Sequence, residues 1–253
     1  MIRDEQDMLR EALDNHTKFC DLIFVLDGTE GPDGELSESI CRSYSQVVGY
    51  WRDRDTGYDK IVCGSRQFLL ERARETVGLN HWCVILHGDE IWGTSPLDLM
   101  TPTNEPLAYR VRFYHFFPHV SQRESWDFGE KTIEECSKWY MLPATLEKRV
   151  FFDIGLDYNP NLHLNPFPID VDVRQSELVV KSYNYRTPEQ AHKRAVSRKE
   201  TGWQTNHYAH LLAGPDEFFV ASLAQDGMKW SGWSKPGEGE AVNTDDVPLP
   251  MMV

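Results

Sequence analysis

Two apolar runs in this chain each end in acid, LIFVLDG at residues 22–28 and WCVILHGDE at residues 82–90. A run this continuous has no polar face to turn toward water. As a strand it needs cover on both sides, which parallel and mixed α/β sheets supply. Between the runs, SRQFLLERARETVG (residues 65–78) sets Leu69, Ala73 and Val77 at four-residue steps and stops at Gly78, the pattern of an amphipathic helix closed by glycine. With a strand at 59–64 before this helix and HWCVIL after it, strand, helix and strand follow in the order expected of a nucleotide-binding half. DKIVCG (residues 59–64) reads as a further strand, GTEGPDGELS (28–37) as a loop, and ESICRSYSQVVGYW (38–51) as helix or helix plus short strand.

Beyond residue 100 the pattern is less regular. YRVRFYHFFPHV (109–120) predicts a strand entering an aromatic loop, EKTIEECSKWYML (130–142) a helix, and KRVFFDIGL (148–156) another strand. The prolines of LHLNPFPIDVDV (162–173) disfavour a central strand through all of it. Thr187-Pro188-Glu189-Gln190 combines a threonine cap, proline at the first helical position and glutamine three residues after the cap, so a helix starts there. The segment from KPGEGE to PLPMMV lacks periodicity and reads as a loose or lid-like tail over 236–253. The expected organisation is one α/β domain over residues 1–253, with a nucleotide-binding half at 1–100 and an acceptor-side half at 101–235.

Lys and Arg number 26 against 40 Asp and Glu, and the net charge of −14 opposes long-range attraction to nucleic acid or anionic membranes. The five cysteines are widely spaced and form no CxxC pair, as in reduced cysteines of an intracellular protein. No apolar run approaches the roughly 18 residues of a membrane span, and the acidic start MIRDEQD is unlike a signal peptide, so a cytoplasmic location is expected. The sequence has no GxGxxG fingerprint, no GxxxxGK[ST] loop and no GxSxG elbow, which counts against NAD enzymes, P-loop ATPases and serine hydrolases.

The chemistry must then come from the strand ends. Asp27 closes one run, and Asp89 with Glu90 closes the other. In open α/β sheets ligands bind outside the carboxyl ends of strands, so these acids are expected to meet across one crevice. Oxygen ligands there suit Mg²⁺ or Mn²⁺, with phosphate oxygens completing the shell. Arg66, in the intervening helix, can reach a phosphate or pair with the acids, and His163 is a candidate metal or phosphate contact. HYAH (207–210) has two histidines but no neighbouring acid motif, which argues against zinc there.

LIFVLDGT, SRQFLLERAR, HWCVILHGDEIW and YNYRTPEQAHKR together resemble the inverting GT-A-fold glycosyltransferases of the family 2 type, best over residues 19–96 and more weakly over 183–194. The resemblance implies a GT-A-like (Rossmann-like) mixed sheet flanked by helices. It also implies transfer of a sugar from a UDP- or GDP-sugar to a hydroxyl acceptor, supported by Mn²⁺ or Mg²⁺. Carried over by position, Asp27 contacts the base, Arg66 the diphosphate, and Asp89 the metal with Glu90 beside it. The motif departs from the family at His87, which stands where the first aspartate of Asp-x-Asp is usual; as a neutral imidazole it favours Mn²⁺. A second departure is Ser182, where relatives often carry a histidine. Candidates for the catalytic base are Asp153, Glu134, Glu135 and Asp157, with Asp153 preferred because it follows the apolar run VFF. The acceptor classes are a saccharide, a lipid-linked saccharide, a protein or a modified nucleic acid, and Arg186, Lys193, Arg194, Arg198 and Lys199 are positioned to hold an anionic one. Two other readings use the same residues: a metal-dependent phosphohydrolase or nucleotidyltransferase, and a non-catalytic nucleotide-sugar binding module whose metal site has degenerated at His87.

Overall fold

The apolar run at 22–27 folds as β1 (Ile23–Asp27), buried along nearly its whole length. Helix α2 (Gly31–Arg42) returns the chain to β2 (Val47–Arg52), which pairs with β1 in parallel. This strand–helix–strand unit is not the one expected over residues 59–86, and its helix starts inside the segment read as a loop. Pro32 and Asp33 sit in its first turn, where a missing N–H costs nothing and a negative charge is favourable. An earlier helix, α1 (Leu9–His16), covers β1: Leu9 and Leu13 join Ile23, Val25, Ile40 and Cys41 in one core cluster. The computed structural model describes residues 1–29, 31–52, 62–101, 103–142, 145–155, 171–200, 210–212, 218–219 and 240–245.

Helix α3 (Val62–Val77) is longer than its amphipathic stretch, because Val62–Gly64 are helical and not the end of a strand. A short apolar run carries no period of its own, and the helix that follows decides its conformation. Gly78 closes the helix in the left-handed region at φ +81°, as its position predicts. The second apolar run then forms β3 (His81–Val84), and HGDEIW leads into β4 (Glu90–Trp92).

From here the chain leaves the alternating Rossmann or GT-A order. Strand β5 (Leu107–Phe117) follows β4 without an intervening α-helix. The later strands are β6 (Trp139–Leu142), β7 (Thr145–Asp153), β8 (Asp172–Tyr183) and β9 (Glu240–Asn243). The parallel pair β1–β2 is a two-stranded sheet of its own, and the other strands form a sheet that is mostly antiparallel: β3 with β7, β5 with β6, and β6 with β9.

The chain divides into two compact units, Met1–Arg112 with Leu146–Val180, and Phe113–Thr145 with Lys181–Val253. In the first, β7 lies between β3 and β5, and β8 pairs with both β5 and β4. In the second, the predicted helix at 130–142 shrinks to α4 (Ile133–Cys136), and Trp139–Leu142 is β6. The tail segment read as aperiodic supplies β9, whose Glu240–Asn243 pair with Leu142–Trp139. Helix α5 (Pro188–Glu200) begins at the predicted cap, with the Gln190 amide donating to Thr187 Oγ1 at 3.1 Å. Its Ala191 and Ala195 pack with Phe117, Met141, Tyr185, Leu211 and Phe218. Arg186, expected among the surface cations, is fully buried and donates through Nη1 to the Tyr183 carbonyl at 2.9 Å. Arg194 is half-buried, Lys193 is exposed, and the Arg198 and Lys199 side chains lie outside the described residues.

Candidate metal centre

Two backbone bridges draw the acidic strand ends together. The Ile2 amide donates to the Leu26 carbonyl and the Gly28 amide to the Ile2 carbonyl, each at 3.0 Å, so residue 2 pairs with Asp27 as a parallel neighbour. On its other side Met1 donates to the Leu86 carbonyl at 2.8 Å and accepts from the Gly88 amide at 3.2 Å. Asp27 and Gly88 are therefore about two strand spacings apart, roughly 10 Å. Gly88 is required for this approach: a Cβ there would lie 2.4 Å from Glu5 Oε2 and 2.7 Å from Ile2 Cγ2.

HGDE then delivers three ligand-bearing side chains to one place. His87, Asp89 and Glu90 each present a donor atom, and these atoms lie within 4.8 Å of one another. Asp89 and Glu90 are buried, at 4% and 1% exposure, so their charges need compensation. Arg149 of β7 supplies it, with Nη2 2.9 Å from Glu90 Oε1 and 2.7 Å from Glu147 Oε2. Burial pushes the Glu90 carboxyl up while Arg149 pulls it down, and the 2.9 Å contact argues for the ionised pair. Burial also lowers the His87 pKa well below the ordinary imidazole value, and Arg149 and Arg66 add to that. A neutral His87 fits its neighbours as one tautomer: Nδ1–H donates to Glu90 Oε1 at 2.6 Å, and Nε2 accepts from Arg66 Nη2 at 3.4 Å. Arg66 Nε is buried and has no hydrogen-bond partner among the described residues. Imidazole and carboxylate donors in one cluster can hold a first-row divalent ion, and the two guanidiniums beside them can neutralise an anionic ligand.

Helix α1 fixes the strand that carries Glu90. Asn15 Nδ2 donates to the Trp92 carbonyl at 3.0 Å and its Oδ1 accepts from the Trp92 amide at 2.8 Å. His16 Nε2–H donates to the Glu90 carbonyl at 3.1 Å. Burial pushes the His16 pKa down from 6.5 to about 4. Because the folded state resists a proton that the unfolded state accepts, His16 contributes stability that is full above pH 6.5 and is lost as pH falls toward 4. The expected loss over that window is about 3 kcal/mol. Urea unfolding of the wild type and His16→Gln at pH 7 and pH 4.5 checks this, with a smaller pH dependence expected in the variant.

The other sequence candidates are placed as follows. Asp27 is buried and accepts from the Tyr50 hydroxyl and, at 2.7 Å, from the Thr29 amide, with Arg52 Nη1 at 3.9 Å. Asp153 ends β7 and is held by Arg74, whose Nε and Nη2 donate to Oδ2 and Oδ1 at 2.8 and 2.7 Å. Despite burial, Arg74 and the Gly155 amide hold the Asp153 carboxyl below its ordinary pKa. In the second unit, Glu134 pairs with Lys181 at 2.5 Å, and Glu135 caps its own short helix through Thr132. Asp157 and His163 lie outside the described residues.

Sequence reasoning passed over Arg149, Asn15 and His16. The helix bearing the last two had a readable signal, with Leu9, Ala12, Leu13 and His16 at i, i+3, i+4 and i+7. Arg149 announces itself only weakly, as a cation alternating with Phe151 and Asp153 on a strand. No helix among the described residues is long and apolar enough to cross a membrane. No protein-family model matches the chain, and no curated protein sequence does. The chain is an α/β protein in which the described residues form two clusters of His, Cys, Asp and Glu able to hold a metal ion, His87–Asp89–Glu90 and His81–Cys83–Asp153.

Proposed function

We propose that the protein is a metal-dependent glycosyltransferase that moves a sugar from a UDP- or GDP-sugar to a hydroxyl acceptor with inversion. The observation that carries this reading is the buried His87–Asp89–Glu90 cluster, flanked by Arg66 and Arg149 and laced through residues 1–2 to Asp27 at the neighbouring strand end. Asp89 and His87 would hold Mn²⁺ or Mg²⁺, His87 through the Nε2 lone pair that would leave its long 3.4 Å contact with Arg66, with Glu90 beside them kept in place by Arg149. When bound, the ion supplies positive charge to the departing diphosphate. Arg66, with its unpartnered Nε, donates to a diphosphate oxygen. Asp27, with Tyr50 and Arg52, forms the base-side wall. The acceptor proton goes to a carboxylate; Asp153 lies in the same unit as the cluster, and its tie to Arg74 makes it a weak proton acceptor.

Calorimetric titration with Mn²⁺ and a panel of nucleotide-sugars, paired with a transfer assay, tests the proposal. Metal-dependent binding with sugar transfer supports it. Binding without turnover would instead favour a binding module, and phosphate release without sugar transfer a phosphohydrolase. His87→Asp is expected to keep activity and to shift the preference from Mn²⁺ toward Mg²⁺, because a carboxylate oxygen suits the harder ion better than imidazole does. Initial rates with each ion, for wild type and variant, measure that shift.

A further inference from the structure

The antiparallel register of β3 and β7 places His81 opposite Asp153 and Cys83 opposite Phe151. Side chains two residues apart on a strand share a face, as do residues directly opposite on paired strands. His81, Cys83 and Asp153 therefore project on one face of this ribbon, and their donor atoms lie within 4.8 Å of one another. The three belong neither to the HGDE turn nor to its arginine partners.

We infer that His81, Cys83 and Asp153 form a second metal site, suited to Zn²⁺, with one coordination position open to a neighbouring cavity. Among the described residues neither His81 ring nitrogen has a hydrogen-bond partner, although both are buried from solvent. A neutral imidazole carries one N–H and one lone pair, and a buried polar atom without a partner is uncommon in folded proteins. A metal ion takes the lone pair. Asp153 is already oriented: both oxygens accept from Arg74, and Oδ1 also accepts from the Gly155 amide at 2.9 Å. Ligating carboxylates characteristically have such outer hydrogen bonds. Tetrahedral zinc with bonds of about 2.0 to 2.3 Å sets its ligand atoms roughly 3.3 to 3.6 Å apart, so closing the site takes a contraction of about 1 Å, within reach of side-chain torsions.

The donor set also selects the ion. A thiolate with an imidazole and one carboxylate is softer than the His87–Asp89–Glu90 set and favours zinc over magnesium or manganese. His81 and Cys83 line a cavity of about 860 Å³ together with Ala73, Val77, Asn80 and Phe151. With His81 and Cys83 on the cavity wall and Asp153 behind them, three protein ligands leave the fourth position to water or to a small donor ligand, the arrangement of open zinc sites. This site goes beyond the proposed transfer reaction: with Asp153 on a metal, the acceptor base of that reaction is another carboxylate, and the readouts below do not depend on transfer.

Cobalt(II) is the probe, because a cobalt–thiolate bond gives a near-ultraviolet charge-transfer band that nitrogen and oxygen ligands do not. The full chain, stripped with chelator and titrated with Co²⁺, is expected to develop that band and to lose it when Zn²⁺ is added. Cys83→Ser should abolish the band and His81→Ala should weaken cobalt binding at least tenfold, while Cys41→Ser and Asp89→Asn leave the band intact. X-ray absorption at the zinc edge of the zinc-loaded wild type needs no variant and should show one sulfur among nitrogen and oxygen neighbours. Absence of the band in the folded wild type, its survival in Cys83→Ser, or a zinc shell without sulfur would each overturn the assignment.

Discussion

Asp89→Asn is expected to leave the fold intact and to lower metal-supported transfer about a hundredfold. The substitution keeps the size of the side chain and part of its hydrogen bonding, so packing around this buried residue survives. What disappears is one negative charge from the three-residue cluster. Removing a single well-placed electrostatic group from an active site typically costs on the order of 3 kcal/mol in the transition state, or roughly a factor of 100 in rate. Steady-state rates at saturating Mn²⁺, with a thermal melt of the same sample, separate the catalytic effect from unfolding. A folded variant with wild-type turnover would remove Asp89 from the reaction.

Arg149→Met is expected to have the largest effect on stability. Arg149 is 2% exposed, and its Nη2 lies within 3 Å of both Glu90 and Glu147. Methionine preserves much of the apolar stem but leaves Glu90, itself 1% exposed, without its guanidinium. Breaking a buried ion pair from one side typically costs about 3 to 5 kcal/mol, because a charge remains buried without compensation. Replacing both partners, as Glu90→Gln with Arg149→Met, should recover a large part of that loss, since position 90 then carries no uncompensated charge and Glu147, the other partner of Arg149, is partly open to solvent. Urea unfolding of the two single variants and the double variant measures the coupling. Additive losses would show that Glu90 and Arg149 do not depend on one another.

The elements that a local pattern specifies were legible in the sequence. β1 and β3 follow from their uninterrupted apolar runs, α3 from its four-residue steps, and the start of α5 from Thr187 and Pro188. Where tertiary pairing decides, the local signal fails. Trp139–Leu142 extends a helical pattern on paper but lies between β5 and β9, and Glu240–Asn243 has no period because its conformation comes from β6. The predicted alternating topology fails for a related reason, since the sequence shows strands but not which of them pair. At the site, the turn residues His87, Asp89 and Glu90 were visible because carboxylates after an apolar run demand an explanation. Arg149 was not, because it is 59 residues from the carboxylate it neutralises. The face shared by His81, Cys83 and Asp153 likewise exists only once the register of β3 on β7 is known.

The central claim is that the HGDE turn holds a divalent ion and a nucleotide diphosphate. Crystals soaked with Mn²⁺ and UDP or GDP, with diffraction collected at the manganese edge, test it most directly. The account predicts an anomalous peak within bonding distance of Asp89 and His87, diphosphate oxygens on that ion and on Arg66, and the base toward Asp27. A well-occupied nucleotide bound elsewhere, with no manganese at Asp89, would contradict it.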